Sequence, residues 1–319
     1  MNLLSLLDER NLTVRALVRQ REAMRRPEPG VIEIGELGCV ELSPSLLAGC
    51  TVVIHTAARA HVLQEREKNP LTLFRRINTQ GTIDLAQAAV VAGVRRFVFV
   101  SSIGVLGNHS RGQPFAPGDP LTPVEDYAIS KAEAESALAE LAIRTGLEVV
   151  IIRPPLVHGP GAKGNFHRLL EGIANERYLP LGGVNNRRSF IGVSNLAEAL
   201  IKAATAPFTD FLPSGERKST AIYHVADNGI ISTRRLVEVL ADGMGVKPRL
   251  INLPRWLAVG GATLLGKGAM ARRLFDDLEV DASAFTKDTG WQPKKLLEDG
   301  LREMAAAYAQ QHRVGRFAS

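Results

Sequence analysis

Five short runs rich in β-branched residues punctuate the first half of the chain, at residues 12–18, 31–34, 51–55, 96–100 and 148–152. Helical stretches separate several of them, notably residues 71–91 and 124–145. Strands that are apolar nearly throughout are buried on both faces, and strands alternating with helices form parallel sheets. The pattern predicts an α/β fold with a doubly wound parallel sheet. After Arg153 the rhythm changes: proline and glycine crowd residues 154–164, and helical stretches follow at 166–175, 233–242 and 296–309. Two strand-like pieces return at 189–193 and 221–225. Residues 1–155, receiving about 187–207 and 220–227, are expected to form one unit. Residues 156–186 and 228–319 are expected to form a smaller, mostly helical lobe. Ligands of such folds lie beyond the carboxyl ends of the strands, here between the two parts.

Composition narrows the class. A chain of 319 residues can bury roughly 75% of its unfolded surface and needs no disulfide or metal staple. Its two cysteines, Cys39 and Cys50, are too few for a zinc cage, and no metal site is expected. Lysine and arginine number 39 against 33 acids, a net +6 that favours an anionic ligand. Aromatic residues make up only 5% and the charges are scattered, which argues against nucleic acid. Asp8, Glu9 and Arg10 interrupt the apolar start too early for a secretory signal. The longest apolar run, 256–266, is about half of a membrane span, so it reads as a buried helix and not an integral span. A cytoplasmic protein is expected.

Tyr127 and Lys131 carry the chemistry. Their spacing on a helix places phenol and ammonium on one face. Tyrosine is a poor base at its reference pKa near 10, and a cation within reach can lower that by about one to three units. Ser102 follows directly after the run 96–100, where its hydroxyl can hold a substrate oxygen; equally, Ser101-Ser102 can simply end a strand.

These three residues resemble the Ser–Tyr–Lys triad of extended short-chain dehydrogenases/reductases, the NAD(P)-dependent nucleotide-sugar epimerase/dehydratase family. Val53-Ile-His-Thr-Ala-Ala58, Asn78-Thr-Gln-Gly-Thr82, the run from Arg153 to Gly161, the run from Arg187 to Ala197 and Gly290-Trp-Gln-Pro293 match that family in order. The resemblance is strongest to UDP-4-keto-6-deoxy-N-acetylglucosamine 4-reductases and UDP-hexose 4-epimerases of surface-polysaccharide pathways. It implies a Rossmann-like dinucleotide-binding sheet, a substrate-binding lobe, a UDP-sugar substrate and a homodimer. It makes Tyr127 the acid/base, Lys131 its partner and a ribose ligand, and Ser102 a donor to the substrate oxygen. Ala57, Ala58 and Pro154 would lie along the cofactor, with Asn78 supporting that region. Asn165 and Arg188 match positions that touch the nucleotide diphosphate, where an arginine fork suits phosphate oxygens.

Several departures bear on the cofactor. The glycine-rich phosphate loop expected between a first strand and first helix is not found. The chain opens on what reads as the latter part of that helix, as if on the order of 15–25 residues were missing. Such a chain is expected to bind nicotinamide dinucleotides poorly. Residues 159–164 fit G-x-G-x-x-G literally, but they follow the fifth strand-like run and read as a crossing into the helical lobe. Arg19 stands where an acid would hold the NAD ribose, with Arg21, Arg25 and Arg26 beyond it, which favours NADP(H) over NAD(H). A basic solvated loop is the other reading of these residues. Glu36 and Leu37 follow the run 31–34 where relatives meet adenine. His158 replaces a tyrosine common in relatives and could touch substrate. The competing functions are a steroid- or flavonol-type ketoreductase of the same superfamily and a truncated, non-catalytic binding protein.

Overall fold

A computed structural model describes residues 3–20, 30–60, 69–211, 219–264, 268 and 274–317 of the chain. In order, the elements of the first half are α1 (Leu3–Glu9), β1 (Ala16–Val18), β2 (Val31–Glu33), β3 (Val52–His55), α2 (Pro70–Phe74), α3 (Gly81–Val91), β4 (Arg96–Val100), α4 (Asp126–Thr145) and β5 (Glu148–Arg153). The second half adds β6 (Leu156–His158), α5 (Asn165–Ala174), β7 (Phe190–Gly192), α6 (Val193–Thr205), β8 (Thr220–His224), α7 (Thr233–Met244), α8 (Arg255–Leu264), α9 (Ser283–Thr289) and α10 (Leu297–Phe317).

Strands β3, β4, β5 and β8 form one parallel sheet in that order. The continuous apolar runs divide by alternation once they are strands. Phe97, Phe99, Val149 and Ile151 point to one face and pack with Leu85, Ala86, Leu138 and Leu141 of α3 and α4. Val98, Val150 and Ile152 point to the other and pack with α6, and with Phe285 and Trp291 beyond it. Strands β1 and β2 pair parallel with each other, and no ladder joins them to the larger sheet among the described residues. Leu17 of β1 still shares the α3-side core with Val53 of β3.

The helical part has its own core of α5, α7 and α10, built on Phe166, Leu170, Leu240, Leu301 and Met304. Strands β6 and β7 form a short parallel pair. The run 12–18 supplies a strand only at Ala16–Val18, and 71–91 is one helical run with a π-turn at Arg75–Gln80 between α2 and α3. The expected buried helix at 256–266 is corrected: α8 leaves Trp256 72% exposed and Leu257 half-exposed. Among the described residues no helix is long and apolar enough to cross a membrane.

Candidate active site

The carboxyl ends of β4 and β5 are tied together where the site residues begin. Ser101 N donates to Ile152 O at 2.8 Å, and Ile103 N donates to Pro154 O at 3.0 Å. Ser102 caps the short 3-10 turn Ile103–Leu106, its Oγ accepting from Gly104 N at 3.1 Å. That bond uses a lone pair, so the hydroxyl proton of Ser102 remains able to donate.

Helix α4 carries the other two triad residues. Its inward stripe runs Ala128, Lys131, Ala132, Glu135, Leu138 and Ala142, a helical repeat with two charged residues inside it. Tyr127 sits in the first turn, half-buried, its ring edge-on to Phe74 at 6.3 Å. Burial of the phenol pushes its pKa up to about 12. Lys131 is 1% exposed, with Nζ 3.9 Å from the centre of the Phe99 ring. Burial lowers its pKa to about 7, and the Glu135 charge acts against that lowering. Desolvation, and not the lowering expected from a neighbouring cation, is the larger effect on both groups, and it favours both neutral forms.

The layer beneath is polar and closed. Asn78 is buried in the π-turn; its Oδ1 accepts from Arg59 N at 2.7 Å, and its Nδ2 donates to Ser130 Oγ at 3.0 Å and to Arg59 O at 3.1 Å. Ser130 Oγ in turn donates to Tyr127 O at 2.7 Å. One asparagine thus fixes the loop after β3 to the turn of α4 that presents the phenol. His55 bonds Thr82 at 3.0 Å, and burial, then the Lys131 charge, lowers its pKa to about 3. It is a neutral ring.

The remaining expected residues fall into three places. Ala57 and Ala58 form an exposed strip after β3, and Pro154 is buried at the end of β5. Arg19 and Glu36 meet at 3.5 Å beyond β1 and β2, while Arg21, Arg25 and Arg26 lie outside the described residues. Leu37 is buried where the β2–β3 loop meets Gly81 of α3. Its neighbour Gly38 has φ +73°, and an added Cβ would stand 2.0 Å from Arg76 O. Asn165 is exposed at the start of α5, and half-buried Arg188 donates to Asp276 O at 3.1 Å in the segment entering β7. The structure gathers Ser102, Tyr127, Lys131 and Asn78 around the ends of β3–β5 and puts Asn165 and Arg188 in the helical part. The glycine run 159–164 joins β6 to α5, as the crossing expected. His158 is buried against Asp227 at 3.0 Å, which itself accepts from Gly192 N and Asn195 Nδ2. It is a structural hub of β6, β7 and α6.

The donor set suits the nicotinamide end of a dinucleotide. A small-residue strip at Ala57–Ala58 leaves room, Lys131 brings an amine donor, and Ser101 Oγ is buried at the end of β4 without a hydrogen-bond partner. Sequence reading missed Phe99, whose ring seats Lys131, and Arg59, whose guanidinium lies 5.8 Å from the Phe74 ring centre. It also missed Glu135 and Arg153. Glu135 was findable, being an acid four residues after the lysine in the same buried stripe.

Comparison with known proteins gives a consistent family. The NAD dependent epimerase/dehydratase family model matches residues 1–213. A UDP-glucose 4-epimerase from Vibrio cholerae is 35% identical over 91% of this chain and 86% of its own length. A 4-hydroxy-2-methyl-3-oxo-4-farnesyl-3,4-dihydroquinoline-1-oxide ketoreductase from Stigmatella aurantiaca is 30% identical over 82% of this chain and 75% of its own. The structure of a dTDP-glucose 4,6-dehydratase double mutant from Streptomyces venezuelae, with NAD bound, shares the fold at TM-score 0.73 and 22% identity, covering 98% of this chain and 92% of its own. The chain belongs to the NAD-dependent epimerase/dehydratase family, whose members are nicotinamide-dependent enzymes.

Proposed function

We propose that this chain is an NAD(P)-dependent epimerase or 4-ketoreductase acting on a UDP-sugar, with Tyr127 as acid/base. The observation that carries the reading is the Tyr127–Lys131 face of α4, its tyrosine half-buried and its lysine buried, set against the ends of β4 and β5. Residues 1–155, with about 187–207 and 220–227, form the cofactor half in this reading; 156–186 and 228–319 form the substrate half. A bound nicotinamide supplies the acceptor and donor of hydride. The protein's own work is to hold the sugar and move one proton. Ser102 donates to the sugar oxygen, and Tyr127 Oη takes the proton of that hydroxyl on oxidation and returns it on reduction. The phenolate so required is costly in a buried site, and the Lys131 ammonium offsets that cost. Arg188 and Asn165 hold the diphosphate, and Arg19 favours NADP(H). The protein works in the cytoplasm as a homodimer.

The test is interconversion of UDP-glucose and UDP-galactose, and reduction of a UDP-4-ketosugar, with either cofactor. Tyr127→Phe keeps the ring and removes the ionisable hydroxyl, so turnover is expected to fall about 10²-fold or more. Near-normal turnover by that variant would end the assignment. The Stigmatella relative supports a second reading, a ketoreductase of a non-sugar ketone. Turnover of such a ketone with no binding of any UDP-sugar would favour it.

A further inference from the structure

Two apolar side chains could fill the space that Glu135 and Arg153 occupy without loss of stability, because buried ion pairs gain little over well-packed apolar groups. Instead the pair is built with care. Both residues are 3% exposed. Arg153 Nε lies 3.0 and 3.2 Å from the two Glu135 oxygens, Nη2 lies 2.6 Å from Oε2, and Nη1 donates to Pro117 O at 3.1 Å. The fork fixes the carboxylate one helical turn past Lys131, on the same buried stripe of α4.

Every layer around Lys131 contributes a facing group. Phe99 of β4 lies under Nζ, and His55 of β3 is a neutral ring. Tyr127 and Glu135 share its helix. Arg153 of β5 stands behind Glu135, and His224 of β8 pairs with Arg153 in register, its Nδ1 bonded to Phe115 O at 3.1 Å. Burial, then the Arg153 charge, keeps His224 neutral, with a pKa of about 4, while Asp119 and Asp281 act in the opposite sense. Of these groups Glu135 is the acid whose charge acts on Lys131. Arg153 holds that carboxylate in place.

We propose that Glu135, oriented by Arg153, is a positioning residue that governs the charge carried by Lys131. The inference rests on the reading of Lys131 as part of the catalytic apparatus. Its signature is a pair of opposite responses. Neutralising Glu135 leaves the Arg153 cation uncompensated and drives a proton off Lys131. Neutralising Arg153 frees the carboxylate to act on Lys131 alone and holds the proton on.

The measurement is NMR titration of ¹³Cε-labelled lysine in the full chain, with Lys131 assigned by the resonance lost in Lys131→Met. Glu135→Gln is expected to lower the Lys131 midpoint by about one pH unit or more, and Arg153→Gln to raise it by a similar amount. The pH–rate limb belonging to Lys131 should move with each. A wild-type measurement does not depend on either variant folding: the Glu135 carboxyl resonance should inflect at the Lys131 midpoint. Shifts of the same sign, or shifts below about 0.3 units in both folded variants, overturn the proposal, as does a Glu135 resonance that is flat through that midpoint. The two readings fail separately. If the coupling is present but Lys131→Met leaves turnover and cofactor binding intact, the catalytic reading falls and the electrostatic link stands. If Lys131→Met is inactive and the coupling is absent, the role of Glu135 falls alone.

Discussion

A lysine ammonium and a phenolate each lose hydration when buried, yet each is the other's best compensation. Burial outweighs that compensation, so Lys131 falls to about 7 and Tyr127 rises to about 12. The lysine's folded pKa lies below its ordinary 10.5, so between about 7 and 10.5 the unfolded chain binds more protons and stability rises with pH. At about 1.4 kcal/mol per pH unit the step is on the order of 5 kcal/mol. Lys131→Met, which keeps an apolar stem over Phe99, should flatten this step and raise Tm at pH 6 more than at pH 10. Calorimetry at the two pH values checks it; an equal change at both would contradict the buried charge. Arg188→Ala should weaken a UDP-sugar by about 1.5–3 kcal/mol with little change in nicotinamide binding, read by titration calorimetry. Tyr127, Lys131 and Ser102 could be proposed from the sequence because their spacing and chain order carry a signal. Their ionisation could not, because burial is a property of the layers packed around them.

Elements whose pattern differs from their surroundings were readable, and those that blend in were not. Strands β3, β4 and β5 announce themselves as apolar runs of the right length. Helix α6 starts directly after β7 with no turn residue between and no side-chain cap, so its start carries no signal, although Ser194, Glu198, Lys202 and Thr205 form a polar stripe along it. Helix α8 fails the opposite way, since an apolar run invites the inference of burial while Trp256 faces solvent. Close approaches between elements are also invisible in one dimension. Gly243 of α7 meets α10 so tightly that an added Cβ would lie 2.6 Å from Arg302 O. Alanine gains up to about 1 kcal/mol of helix propensity, but overpacking against backbone costs roughly 1–3 kcal/mol. Gly243→Ala should therefore lower Tm; a rise would show that α7 and α10 can part without cost.

At the scale of the molecule, two histidines buried as neutral rings tie the sheet's stability to acidity. His55 lies at about 3 and His224 at about 4, both below the ordinary 6.5, so the unfolded chain takes up protons first as pH falls. Stability should decline from about pH 6.5 downward, His55 alone contributing on the order of 4 kcal/mol by pH 3. Urea midpoints between pH 7 and 4 test this, and His55→Gln should lessen the slope.

The burial of one tryptophan and the exposure of the other give the chain two optical reporters. The sequence holds two tryptophans: Trp291, packed on Phe285 at 5.5 Å, and Trp256 on the outer side of α8. Iodide should quench Trp256 in the native state and leave the bluer emission of Trp291 untouched. A red shift that survives iodide would then date the opening of the sheet core itself, independent of anything α8 does.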